Sequence, residues 1–84
     1  MTNKDILKKQ IVYRSMHRGS KEMDLLLGNF VKRYINEFTN TDLKDLEELL
    51  FIEDEVIYKW YFHKNHDVKI PKTKVLTMLR KFKL

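Results

Sequence analysis

Cysteine is absent from the 84 residues, and with it go disulfides, thiolate catalysis and any zinc site of the usual Cys-containing kind. The chain therefore suits a reducing compartment. Two glycines and one proline leave little room for turn-rich β architecture, so an all-α fold is the natural class. No apolar run approaches the roughly 20 residues that cross a bilayer. Met1-Thr2-Asn3-Lys4-Asp5 has neither the apolar stretch of a secretory signal nor the Arg- and Ser-rich, acid-poor character of a mitochondrial import leader. The N-terminus thus predicts a soluble, cytoplasmic, bacterial protein that does not insert into membrane. Catalytic constellations are missing too: there is no Ser-His-Asp or Cys-His set, no phosphate-cradling glycine loop and no converging carboxylate pair. The chain reads as a non-enzyme with no catalytic residues.

What is present is a small amphipathic domain. Hydrophobic residues at 43% and charged residues at 35% fit a folded unit and not a disordered tail. With no linker, low-complexity segment or repeat, residues 1–84 read as a single domain. A chain of this length buries only about two thirds of the surface its unfolded form exposes, so the core is small. The apolar spacing predicts about five short helices packed as a compact bundle. The first is expected from about Asn3, as N-cap, to Met16, with Ile6, Leu7, Ile11 and Tyr13 inward. The second runs from near Ser20 to about Phe38, with Met23, Leu26, Leu27, Phe30 and Tyr34 as its buried stripe. Gly28 in its interior costs roughly 1 kcal/mol relative to alanine, which implies close passage of a neighbouring helix. Thr39 as N-cap and Asp42 as capping-box acid launch the third, to about Phe51, burying Leu43, Leu46, Leu49 and Leu50. Asp54 is expected to cap the fourth, where Ile57, Trp60 and Tyr61 pack inward and Asn65-His66-Asp67 ends the run. The fifth begins near Ile70-Pro71, with Val75, Leu76, Leu79 and Phe82 on one face and a crowd of lysines and Arg80 on the other.

Candidate functional residues concentrate where a glycine opens into the second helix, at His17-Arg18-Gly19-Ser20-Lys21-Glu22. Gly19 can adopt a left-handed turn and can let another backbone approach closely. Arg18 offers a planar fork of donors suited to a carboxylate or phosphate. Glu22, in the first turn, meets the positive end of the helix dipole and can reach back toward Arg18. The same residues also have a plainer reading, as a helix joint, a first-turn charge and a solvated cation. As exposed groups, Arg18 and Glu22 should cost the fold no more than about 1 kcal/mol on truncation. His63 and His66 have the spacing of a two-histidine metal pair, but without a cysteine or converging carboxylate they are read as helix-end charges, with no metal site. The net charge of +5 suits an acidic protein surface, nucleic acid or anionic lipid. The basic fifth helix lacks interleaved exposed aromatics and any recognised nucleic-acid signature, so its charges read as a solvated face.

From Tyr13-Arg14-Ser15-Met16-His17-Arg18-Gly19-Ser20-Lys21-Glu22 through Met23-Asp24-Leu25-Leu26-Leu27-Gly28, the chain resembles the Arg-Gly-x-x-Glu signature region of the SdhE-type succinate dehydrogenase assembly factors. The similarity continues through Leu49-Leu50, Asp54, Ile57 and Trp60 and covers about Leu7 to Tyr61. Phe51 stands where an acidic residue often follows the Leu-Leu pair, and Glu55 where proline often follows Asp54. The resemblance implies a five-helix domain that binds the flavoprotein subunit of succinate dehydrogenase, or the related fumarate reductase, before the iron-sulfur subunit docks. In that scheme a histidine of the flavoprotein attacks the 8α-methyl carbon of bound FAD, while the assembly factor holds the partner's flavin-binding and capping domains in place. It also implies Arg18, Gly19 and Glu22 as the contact centre, with Arg18 and Glu22 as paired polar anchors and Arg14 and His17 at the rim. No dinucleotide-binding fingerprint is present, so FAD is expected on the partner and not bound tightly here, and the chain is expected to be a monomer when free. The alternative, motivated by charge alone, is a small basic helical nucleic-acid-binding or regulatory protein, with specific and steeply salt-dependent binding to duplex DNA or RNA.

Overall fold

Four hydroxyl side chains start four of the helices. In the computed structural model, which describes residues 2–64 and 70–83, the hydroxyl oxygens of Thr2, Ser20, Thr39 and Thr73 accept hydrogen bonds from the backbone N–H of Asp5, Met23, Asp42 and Leu76. Each satisfies one of the donors that a helix start leaves open. They launch α1 (Asn3–Met16), α2 (Lys21–Tyr34), α3 (Asn40–Leu50) and α5 (Lys74–Lys81), whereas α4 (Asp54–Phe62) follows Glu53 with no side-chain cap. The described residues contain five α-helices and no strand, so the fold is all-α.

The caps correct three expected boundaries. Thr2, not Asn3, caps α1, because only its hydroxyl completes a reciprocal box with Asp5. Asp54 does not cap α4, since its carboxylate is engaged elsewhere, as described below. The last helix starts at Lys74 behind the Thr73 cap, beyond the expected Ile70-Pro71. The second helix also ends differently: the α-helix stops at Tyr34 and tightens into a 3-10 turn over Ile35–Glu37 before Phe38 turns extended. Asn65-His66-Asp67, expected to end α4, lies outside the described residues.

Helix α2 is the central strut. Met23, Leu26, Leu27, Phe30 and Val31 are at most 1% exposed, and they meet Ile11 from α1, Leu43 and Leu46 from α3, Ile57 from α4, and Val75 and Leu79 from α5 in one core. Helix α1 departs from expectation. Leu7, Ile11 and Ser15, spaced by four, form its inner stripe, whereas Ile6 and Tyr13 point outward at 44% and 65% exposed. The inward assignment of those two fails because α1 carries apolar residues on two faces, and only one meets the core. Gly28 is where α1 presses closest: a Cβ there would lie 3.3 Å from Met16 Cγ, so the glycine admits the crossing. Two residues on, Phe30 packs against Tyr34 and Phe82, with ring centroids 5.3 and 5.5 Å away. The Tyr61 hydroxyl donates to the Phe82 carbonyl, tying α4 to the chain after α5.

Candidate partner-binding site

The loop between α1 and α2 turns on Gly19, whose φ of +107° is a conformation that side-chain-bearing residues rarely adopt. Nothing lies within 4 Å of where a Cβ would stand. The glycine is therefore required by backbone conformation, while the space above it is open for another chain.

Arg18 does not behave as a surface anchor. Its side chain is only 9% exposed and reaches across to the turn between α3 and α4. Nε donates to Asp54 Oδ1 at 2.7 Å, one terminal nitrogen donates to the Ile52 carbonyl at 2.7 Å, and the other to the Leu50 carbonyl. Its backbone N–H donates to Asp24 Oδ1 at 2.6 Å, within the first turn of α2. The guanidinium thus satisfies carbonyls left open at the end of α3 and places its charge between the negative end of that helix and a carboxylate at the start of α4. This is why Asp54 is unavailable as a cap. It also corrects the expected Arg18–Glu22 pair: among the described residues, the carboxylates that Arg18 engages are Asp54 and Asp24, not Glu22. The resemblance had already singled out Asp54, but no local spacing signals a contact spanning 36 positions.

The other candidates surround this buried latch. His17, Gly19 and Glu22 are all exposed. His17 stacks on Tyr13 with ring centroids 4.1 Å apart, and its Nδ1 lies 2.8 Å from the Tyr13 carbonyl oxygen. A carbonyl can only accept, so Nδ1 carries the proton and Nε2 is the ring atom left for solvent or a partner. Arg14 leans toward α3, with 3.6 Å to Glu47 Oε2 and its guanidinium 5.0 Å above the Phe51 ring. Phe51, the departure from the expected acid, is 69% exposed and gives Arg14 an aromatic face instead of a second carboxylate. Past Glu22 a shallow groove of about 500 Å³ opens between the start of α2 and α4, walled by Glu22, Asp54, Glu55, Tyr58 and His63. Its acids outnumber Lys59, which is paired with Glu55 at 3.0 Å. His63, half of the histidine pair, ends α4 with its ring edge-on to Tyr58, and its counterpart His66 lies outside the described residues. Among the described residues no three His, Cys, Asp or Glu side chains converge as a metal site would need.

A family model described as the flavinator of succinate dehydrogenase matches residues 9–83. The chain belongs to this family. It is 41% identical over 81 residues to a protein of Scheffersomyces stipitis named succinate dehydrogenase assembly factor 2, mitochondrial, covering 90% of this chain and 54% of that protein. A Dictyostelium discoideum protein of the same name is 35% identical over 74 residues, covering 88% and 52%. The FAD assembly factor SdhE of Acetobacter pasteurianus is 31% identical over 74 residues, covering 88% and 65%. The chain thus spans about half the length of the mitochondrial relatives it matches. No solved structure matches it. Membership agrees with the resemblance read from the sequence and does not favour the nucleic-acid-binding alternative. The bacterial expectation is overturned, because fungal and slime-mould proteins named as mitochondrial stand among these relatives. No helix among the described residues is long and apolar enough to cross a membrane.

Proposed function

We propose that this chain is the part of an assembly factor that binds the flavoprotein subunit of succinate dehydrogenase, or of the related fumarate reductase, and promotes covalent attachment of FAD to a histidine of that partner. The observation that carries the reading is the division of labour within the family-like motif. Arg18 is spent inside the fold, while Gly19 offers bare backbone and Glu22 an open carboxylate at the rim of an acidic groove. Gly19 lets the partner's chain come close, Glu22 with the groove accepts a cationic or N–H group of the partner, and His17 and Arg14 flank the contact. Arg18 is a positioning residue that fixes this corner. The bond to FAD is made within the partner, so the chain acts by binding and orientation, not as an enzyme, and holds no FAD tightly by itself. The mitochondrial names of the relatives make the mitochondrion, rather than the cytoplasm expected from the N-terminal residues, the compartment of this proposal.

The test is Glu22→Ala. Glu22 is exposed in the first turn of α2, so the variant should stay within about 1 kcal/mol of the parent in stability. Its affinity for the purified flavoprotein should fall by about 2 to 5 kcal/mol if a polar partner group is left unpaired, and covalent flavin content should fall with it. A folded Glu22→Ala protein that supports full binding and flavin attachment would remove this corner as the working surface.

A further inference from the structure

The charge of the chain is not spread evenly. Residues 70–84 carry Lys72, Lys74, Arg80, Lys81 and Lys83 and no acid, which equals the whole excess of +5; the preceding residues hold twelve cations and twelve acids. Of these five only Lys74 meets a carboxylate among the described residues, Asp42 at 3.6 Å. The Arg80 guanidinium carbon lies over the Trp60 ring, 4.2 Å from its centroid. Beside it a groove of about 360 Å³ runs between α4 and α5, floored by Trp60, Ile70 and Leu76 and bordered by Lys72, Arg80 and Lys81, with no acid among the described residues that line it.

We propose that this groove is a second docking surface, for an acidic segment of polypeptide whose carboxylates meet Lys72, Arg80 and Lys81 around an apolar side chain seated against Ile70 and the edge of Leu76, beside the Arg80–Trp60 stack. The proposal stands apart from the flavoprotein reading, since the groove shares no residue with the Arg18 corner. Three neighbouring cations with no counter-ion among the described residues repel one another, and an anionic occupant relieves that repulsion while its apolar side chain dries the floor. The concave shape favours a side-chain-bearing segment over a flat bilayer. The large exposed hydrophobics among the described residues sit on α1, α2 and α4 and the turn at Phe51, and none on α5, so that helix presents no large apolar side chain to lipid. Nor does it expose an aromatic on which bases could stack, since Trp60 is 7% exposed beneath Arg80.

Trp60 is the sole tryptophan, so its own fluorescence reports occupancy of the groove. The experiment titrates the full chain with a short tryptophan-free peptide of glutamates around one leucine, and with the same peptide carrying glutamine. A saturable change in emission is expected with the glutamate peptide at physiological salt, with binding about tenfold weaker for the glutamine peptide. Lys72→Glu and Lys81→Glu, both exposed and without a carboxylate partner among the described residues, should each weaken it by about tenfold. Lys8→Glu, on the far side of α1 beside Asn36, should leave it unchanged. Equal binding of the two peptides, or equal loss with Lys8→Glu and Lys81→Glu, would overturn the proposal. Displacement of the peptide by duplex DNA or by phosphatidylserine vesicles at equal charge would also overturn it, by assigning the face to another class of partner.

Discussion

Arg18→Ala should be among the most damaging single changes in this chain, although sequence spacing placed Arg18 on the surface. The truncation removes three side-chain hydrogen bonds and leaves the Asp54 carboxylate and the Leu50 and Ile52 carbonyls without their donor. Breaking one partner of a largely buried ion pair costs about 3 to 5 kcal/mol, of which the two stranded carbonyls account for a good part. A domain of 84 residues holds only roughly 4 to 13 kcal/mol in all. The loss should lower the melting temperature by at least about 12 °C, at about 4 to 8 °C per kcal/mol. Arg18→Lys should recover only part of it, because an ammonium cannot serve three acceptors spread along a planar fork. Asp54→Asn keeps the shape but removes the charge, so the cycle of Arg18→Ala, Asp54→Asn and the double variant isolates the ion pair. The assay is thermal unfolding followed by circular dichroism. An Arg18→Ala protein melting within about 3 °C of the parent would refute the latch, since by the same scale it would have lost less than about 1 kcal/mol.

Gly28→Ala should be close to neutral, because a helix-propensity gain of about 1 kcal/mol is offset by the displacement that a Cβ 3.3 Å from Met16 Cγ forces on α1; Gly28→Val forces α1 and α2 apart and should cost about 1 to 3 kcal/mol in chemical denaturation. Trp60→Ala should cost about 3 to 5 kcal/mol and unfold much of the population at 37 °C, seen as lost helical ellipticity; near-parental stability would show that its burial contributes little. The Asp42 carboxyl is held below its ordinary 3.8, first by the Thr39 backbone N–H, then by the Thr39 hydroxyl and Lys74, against the opposing effect of burial. A lowered folded value means that this stabilisation is complete above the unfolded value and is lost as pH falls through the folded one. Urea midpoints should therefore drop below about pH 4, and less steeply in Asp42→Asn.

The parts of the fold legible in the sequence are those governed by neighbours within one helix. The α2 stripe from Met23 to Phe30, the Thr39–Asp42 box and the glycine crossing at Gly28 all follow from spacings of three to five residues, and the structure contains each of them. The misplaced elements are those where tertiary contact decides between local alternatives. Tyr13 and Ile6 have the apolar character of core residues, yet the direction from which α2 and α3 approach selects Leu7, Ile11 and Ser15 instead. Proline at 71 satisfies the grammar of a helix start, but the Thr73 hydroxyl, two residues on, supplies the hydrogen bond that starts one. Within the candidate site Gly19 was legible, because positive φ is a property of one residue. The role of Arg18 was not, since the guanidinium fork fits an internal carboxylate as well as a partner's and only the fold brings Asp54 within 2.7 Å.

In the proposed reading, the latch lets one loop serve folding and binding together. A partner-binding corner needs polar groups left free, yet a small domain can ill afford a loose loop at the start of its central helix. Here one side chain resolves the conflict. Arg18 crosses under the loop and takes the open carbonyls of the α3 end, while its own N–H is held by Asp24 at the α2 start. Three helix termini are thereby joined, and α4 does without a side-chain cap because its first acid is drawn into the same contact. With the loop fixed from below, Gly19 and Glu22 above it need no internal partners to hold their places, which leaves their polar groups open to solvent. The geometry therefore separates the motif by depth: the arginine is buried and fixes the corner, and the glycine and glutamate lie exposed above it.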